Sequence, residues 1–415
     1  MTVFTPEWRV KVNETTVTSA TLANLQIVAG RQSIYEQPAA SYCSVNLITI
    51  PSSAITYEIN DALTIEIKDS TGTYVSLFGG FISDVNVVVT SPGSSQIVQE
   101  VRLIALGALA RLVRANFTGN LSSDTDGNQI YALLQNVVLN AWNEVPASLT
   151  WATYDPATTW ANAENTGLGE IDQPGDYMLD SQNNLNGSVY QYAAAVATSG
   201  LGYLYEDAQG RIGYADSTHR SQALAANGYV DLDANQAYGA GLEITKRAGD
   251  VRNKISIIYG SAGNSSVTDS DAESISLYGE LASTITTTLK NQSDATTQAA
   301  FYLDLRAFPQ FEFRQIVFPL GNPEIDNADR DALLGVNMGM AVNIENLPLN
   351  MDEGSFQGFV EGWTWRAGVS SLTLQMTVSP LAYSLQAFRW ENVPITEYWN
   401  TITPTLTWEN ATIVT

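Results

Sequence analysis

The side chains that most often carry catalysis or hold metals are scarce in this chain of 415 residues, which has one histidine, His219, and one cysteine, Cys43. A Ser–His–Asp triad would have to use His219, and a Cys–His pair would have to unite two residues far apart in sequence. His219 stands in "DSTHRSQ", after an apparent strand, where an exposed loop residue is expected. Cys43, between Tyr42 and Ser44 in another strand pattern, reads as a small buried apolar residue. Alone it makes no internal disulfide, so the fold does not rely on oxidation. No G-x-S-x-G elbow, H-E-x-x-H, C-x-x-C or Walker-type glycine loop is present. No catalytic residue, metal or cofactor is therefore expected.

The carboxylates say little more. In "DTDGN", Asp124 to Asn128, the glycine is fourth where a calcium loop needs it sixth, and no Glu stands twelfth. Helix capping explains the stretch better. "DSDAES", Asp269 to Ser274, reads as a solvated loop of like charge. A glycosidase pair has no fixed spacing, so 43 acidic residues leave it open, and aromatic residues could form a sugar platform. Most Trp and Tyr, however, fall at alternating strand positions, where core packing is the default.

Charge narrows the partners. Nineteen basic against 43 acidic residues give −24, and the densest basic patch, Arg102, Arg111 and Arg114, is thin for displacing counterions from nucleic acid. Such acidity repels DNA, and it also suits solubility or a salty habitat. Charged residues are only 15% of the chain, which fits a β-rich protein that buries much of its surface in an assembly. "MTVFTPEWRVKV" shows no secretory signal, and no run of 18 apolar residues predicts a membrane helix. The protein is expected to stay in the compartment where it is made.

The elements that must position any site are mostly strands. In "GFVEGWTWRAGVSSLTLQMTVSP", Gly358 to Pro380, Leu372, Leu374, Met376 and Val378 alternate with Thr373, Gln375 and Thr377, a period of two that predicts a β-hairpin. A similar hairpin spans Gly79 to Gly107, with Gly80-Phe81-Ile82 parallel to Gly358-Phe359-Val360 and Val85, Val87 and Val89 alternating as Trp363 and Trp365 do. Upstream, "INDALTIEI" (Ile59 to Ile67) lies beside "VNMGMAVNI" (Val336 to Ile344), 13 and 14 residues before the respective hairpin glycines. Strand, gap and hairpin recur in order at a shift of about 277, as in an internal duplication.

Between the copies the pattern changes. "SSDTDGNQIYALLQNVVLNAWNEV" has helical spacing, with Asp124 or Asp126 as N-cap candidate. A helix ending near Gly200 and a hairpin about "EDAQGR" follow, and "NQSDATTQAAFYLDLRAFP" predicts a further helix stopped by Pro309. The expected class is mainly β with an α+β insert: a first β-unit over 1–118, the insert over 119–239, a second β-unit over 240–388 and an extended arm over 389–415. In that arm "RWEN" returns as "TWEN", placing Trp390, Trp399 and Trp408 nine apart. They suit either aromatic anchors docked on a neighbour or a strand pair folded back on its own domain.

With "AGRQSIYEQPAASYCSVNLI" and "LFGGFISDV" in one unit, "DVRNKISIIYG", "SLYGELASTITTTL" and the late hairpin in the other, and the Trp-repeat tail, the chain resembles the phage tail hub proteins, the minor tail or baseplate hub family of long-tailed phages. That resemblance implies two duplicated antiparallel tail-tube-like β-barrel units per chain and a homotrimer. Six barrels would then meet a hexameric tail tube or distal tail protein above. Below, three-fold symmetry would meet tip, spike or fibre proteins, with a tape-measure protein nearby. It implies no enzyme activity, a position at the virion tail tip after assembly in the host cytoplasm, and DNA met only in transit through the lumen. The competing reading is a carbohydrate-active virion protein, an adhesin or depolymerase, which has no need of two equivalent units.

Overall fold

The computed structural model describes residues 4–49, 56–90, 98–141, 171–237, 242–260, 263, 265–309, 311–348, 351 and 354–381. Alternating residues make strands early in the chain: β1 (Trp8–Val12), β2 (Thr15–Thr16), β3 (Ala20–Gly30), β4 (Tyr42–Thr49), β5 (Ala62–Lys68), β6 (Tyr74–Thr90) and β7 (Val98–Leu106). In β3 and β4 the odd members Leu25, Ile27, Cys43, Val45 and Leu47 are buried, while Gln26, Ser44 and Asn46 lie on the opposite face.

The middle of the chain mixes short elements. It holds α1 (Leu109–Arg114), β8 (Asn116–Leu121), β9 (Asp124–Thr125), α2 (Asp126–Ala141), β10 (Met178–Leu179), β11 (Gln182–Ser188), α3 (Val189–Ser199), β12 (Tyr203–Glu206), β13 (Ile212–Ala215), α4 (His219–Asn227) and β14 (Val230–Asp233). Then come β15 (Leu242–Lys246), β16 (Lys254–Tyr259), β17 (Ser265–Ser270), α5 (Ala272–Tyr278), β18 (Ala282–Thr286), α6 (Gln292–Arg306), β19 (Phe311–Pro319), α7 (Asn327–Leu334), β20 (Ala341–Glu345), β21 (Phe356–Gly368) and β22 (Leu372–Pro380). The protein is mainly β, and its sheets are largely antiparallel.

One sheet of 13 strands organises the rest, in the order β15-β19-β22-β21-β3-β4-β7-β6-β5-β1-β2, with β20 also on β21 and β14 on β20. Its path has an internal echo. The early run β5-β6-β7-β4-β3 is matched, pair for pair antiparallel, by the late run β20-β21-β22-β19-β15. Both long strands break register at the same point: β6 between Ile82 and Asp84, and β21 between Val360 and Gly362. Bulges of this kind bend a strand and re-aim its side chains. Within the described residues neither run closes on itself; the two meet edge to edge between β3 and β21.

Two apolar clusters lie beneath. The first fills the inner face of the large sheet from Val10 to Val378. The second joins α1, α2, α3, β12 and β13 to Ile255 and Ile257 of β16 and to Ala295, Ala299 and Leu303 of α6. "DSDAES", expected as a solvated loop, is instead the end of β17 and the start of α5, where Asp271 caps the helix by accepting from Ser274 N.

Candidate assembly interface

The junction of the two runs is built by backbone first. Gly362 pairs with Gly30, Trp363 with Ala29 and Trp365 with Ile27, through to Gly368 with Asn24. Gly30 has φ +79°, and a Cβ there would stand 2.3 Å from the Glu361 carbonyl oxygen. Only glycine allows both that backbone conformation and that approach. Arg31 N then donates to Glu361 O at 2.8 Å.

The bulge turns the Glu361 side chain inward, where it is 1% exposed. Its carboxylate accepts from Arg220 Nη1 at 2.7 Å and Nη2 at 2.9 Å, a bidentate clasp, from Arg31 Nε at 2.8 Å and from Ser379 Oγ at 2.5 Å. Burial alone would push this acid up, but Arg220 and Arg31 outweigh it and hold its pKa down at about 2. Both guanidinium groups also lie over the Tyr203 ring, Arg220 at 4.8 Å and Arg31 at 5.1 Å from its centre. One carboxylate on β21 thus holds the residue after β3 and the first turn of α4.

The segment between β3 and β4 is the socket for the middle elements. Gln37 donates to Gly202 O at 3.0 Å and accepts from Leu204 N at 3.1 Å, and Tyr190 OH donates to Pro38 O at 2.6 Å. The buried Glu206 of β12 accepts from Ser41 N at 2.8 Å, from Ser41 Oγ and from Leu109 N.

His219 is not the exposed loop residue expected. It opens α4, is 7% exposed, and packs edge-on to Tyr203 and aslant Tyr205 with both ring centroids at 6.1 Å. Its Nδ1 meets Asp172 Oδ2 at 2.7 Å, and the same oxygen accepts from Asp216 N at 2.9 Å. Burial, then the Asp172 and Asp176 carboxylates, raise the Asp216 pKa. Asp126 begins α2, but its carboxylate turns away from the helix to accept from Tyr177 N at 2.9 Å and from Tyr214 OH; burial pushes its pKa up to about 7. Cys43 is buried as expected, and burial raises its thiol pKa, which keeps it from acting as a thiolate. Among the described residues, no group of three His, Cys, Asp or Glu side chains is placed to hold a metal ion, and no helix is long and apolar enough to cross a membrane. Trp390, Trp399 and Trp408 lie outside the described residues.

No family model and no curated protein matches the chain. Solved structures do. A tail protein from Neisseria meningitidis MC58 superposes with a TM-score of 0.59 at 12% identity, covering 92% of this chain and 98% of its own. The 43 kDa tail protein of prophage MuSo2 from Shewanella oneidensis gives 0.55 at 12% identity, covering 91% and 99%. The chain has a phage tail-protein fold. Each comparison covers more than nine-tenths of this chain.

Two outcomes follow from the buried acids. Replacing Glu361 by Ala strands two buried guanidinium groups and lowers unfolding stability by about 3–5 kcal/mol in urea titrations, more than any single exposed ion pair would. With pH, Glu361 contributes stability above its ordinary value of 4.5 that is lost as pH falls through about 2. Asp126 acts oppositely: its contribution is complete below 3.8 and is lost as pH rises through about 7. The Asp126→Asn variant should therefore show a shallower fall in melting temperature between pH 4 and 7.5 than the parent chain.

Proposed function

We propose that this protein is a structural, non-enzymatic component of a phage tail, and that three copies form the hub between a six-fold tail tube and a three-fold tip. The observation that carries the reading is the repeated strand path, β5-β6-β7-β4-β3 and β20-β21-β22-β19-β15, in a chain with a tail-protein fold. Two equivalent units per chain turn three copies into six, which lets one ring face both symmetries. In this reading the units are the tube-like domains 1–118 and 240–388, the 119–239 insert braces them, and the arm 389–415 reaches a neighbour.

The outer face of the sheet supports a channel for DNA. Gln26, Ser44, Asn46, Thr364, Gln375 and Thr377 stand there, small or uncharged polar groups on the face opposite the core. Arg102, on the same face, is held by Glu100 at 2.9 and 3.0 Å. Arg366, exposed opposite Gln26, adds a cation to that face, but with the net −24 the wall offers phosphates few sites to bind, so a duplex slides without sticking. A tail tube or distal tail protein would sit above, tip, spike or fibre proteins below, and a tape-measure protein within reach, all at the tail tip of a virion assembled in the host cytoplasm.

The mass of the purified chain in solution and top views by electron microscopy test this. A trimer with six similar lobes around an open channel is expected. A compact particle without a channel, or hydrolysis of host glycans, would overturn the hub and favour a carbohydrate-active protein. Deleting 389–415 tests the arm: trimerisation or incorporation into tails should weaken while the melting temperature of the remainder is kept. Undiminished incorporation would remove Trp390, Trp399 and Trp408 from the interface.

A further inference from the structure

The internal junction has a counterpart on which no described strand lies. Its β21 half, Gly362–Gly368, is covered by β3. The equivalent half of β6, beyond its own bulge, is paired with β7 on one side, and no described strand covers the other. Exposure records the difference: Trp363 and Trp365 are 6% and 1% exposed, whereas Val87 and Val89 are 41% and 55%. At the far end of the sheet, β15 occupies the place that β3 holds in the first run, and there too the apolar residues are incompletely covered. Leu242 and Ile244 are only partly buried, against 1% and 0% for Leu25 and Ile27.

The geometry points to one occupant for both edges: a second copy of this chain, whose β15 adds antiparallel to the outer half of β6. This rests on the hub reading for the number of copies, not for the contact itself. The register comes from the internal template. Ala62 opposite Phe81 corresponds to Ala341 opposite Phe359, and the bulges coincide, so Asp84, Val85, Val87 and Val89 occupy the places of Gly362, Trp363, Trp365 and Ala367. Leu25 opposite Val45 corresponds to Leu242 opposite Ile316, so Leu242, Ile244 and Arg247 occupy the places of Leu25, Ile27 and Gly30. Carrying the β3–β21 register across sets Val89 against Leu242, Val87 against Ile244 and Asp84 against Arg247.

Each pairing is chemically matched. Two apolar pairs fall on the core face, where Val87 opposes the buried Val101 and Ile244 packs against the same apolar cluster. Where the internal junction has two glycines whose backbones touch, the outer one has a carboxylate and a guanidinium, both exposed in the single chain, so the strands stand further apart at that end and the two long side chains span the gap. The contact is heterologous, since one copy offers β6 and the next offers β15. It therefore propagates as a ring or a filament rather than ending at a dimer.

Paired cysteines in the full chain test this, with Cys43 left in its buried place. Val87→Cys with Ile244→Cys should give chains linked as dimers and closed trimers after mild oxidation or a short bis-maleimide. Val87→Cys with Glu243→Cys, slipped by one residue to the opposite face, should not. Asp84→Arg should weaken association about tenfold, and adding Arg247→Asp should restore it. A trimer by mass that the in-register pair fails to link, or a failure of Arg247→Asp to restore association, overturns this junction and leaves the hub standing. Linking that runs on past three chains upholds the junction and overturns the hub. A chain that stays monomeric and unlinked at every concentration reached overturns both.

Discussion

The structure depends on one buried carboxylate with two buried guanidinium groups. Glu361 is on β21, Arg31 follows β3 and Arg220 is in the first turn of α4, so a single acid joins three segments that sequence separates by 330 and 141 positions. Taking these charges out of water is costly, and a well-packed apolar trio would fold as stably or better. What the ionic version supplies is direction. A bidentate clasp with a third donor fixes the angle at which the two runs of the sheet meet, and the close approach of Gly30 to Glu361 O leaves little room to pivot. An edge-to-edge sheet junction has only one row of backbone bonds; the triad braces that row from below.

The same logic explains the crowding of the β3–β4 connection. Gln37, Pro38 and Ser41 each engage the middle elements through backbone or buried side-chain bonds. Tyr203 then lies under both Arg31 and Arg220 and beside His219, which is tied to Asp172. Groups that on paper resemble catalytic parts, a histidine with two aspartates, tie segments of the insert to one another, Asp172 accepting from Asp216 N and meeting His219 Nδ1. The raised pKa of Asp216 follows from burial and then from the Asp172 and Asp176 carboxylates, and needs no substrate to account for it.

Much of the sheet was legible because one of its faces is buried. Leu372, Leu374, Met376 and Val378 announce β22, and Leu25, Ile27, Cys43 and Val45 would announce their strands equally well. Alignment of the two runs was less secure. Setting "INDALTIEI" on "VNMGMAVNI" places Ala62 against Gly339, whereas the ladders place it against Ala341. A slip of two residues keeps every side chain on its own face, so alternation cannot detect it; only the pairing with Phe81 and Phe359 can. The burial of His219 is hidden for a related reason: "DSTHRSQ" is polar throughout, and nothing local reveals that Tyr203, Tyr205 and Asp172 close over it. Glu361 gave no signal at all, since a lone Glu in a strand acquires meaning only from Arg31 and Arg220.

The observed junction and the proposed one differ in side chains as their histories would demand. Inside the chain, β21 and β3 meet during folding and stay dry, so Trp363 and Trp365 can fill the space with large apolar rings. In the proposed junction, the equivalent edge of β6, on which no described strand lies, waits for a second copy. A row of tryptophans there would invite indiscriminate pairing, the hazard of any long apolar edge. Val85, Val87 and Val89 keep β propensity and an apolar face while exposing less area, and Asp84 puts a charge where the strand leaves its bulge. A wrong partner must then bury that carboxylate without compensation, whereas a chain presenting Arg247 neutralises it. On this account the smaller residues at the outer edge are what a transiently exposed copy of the inner junction requires.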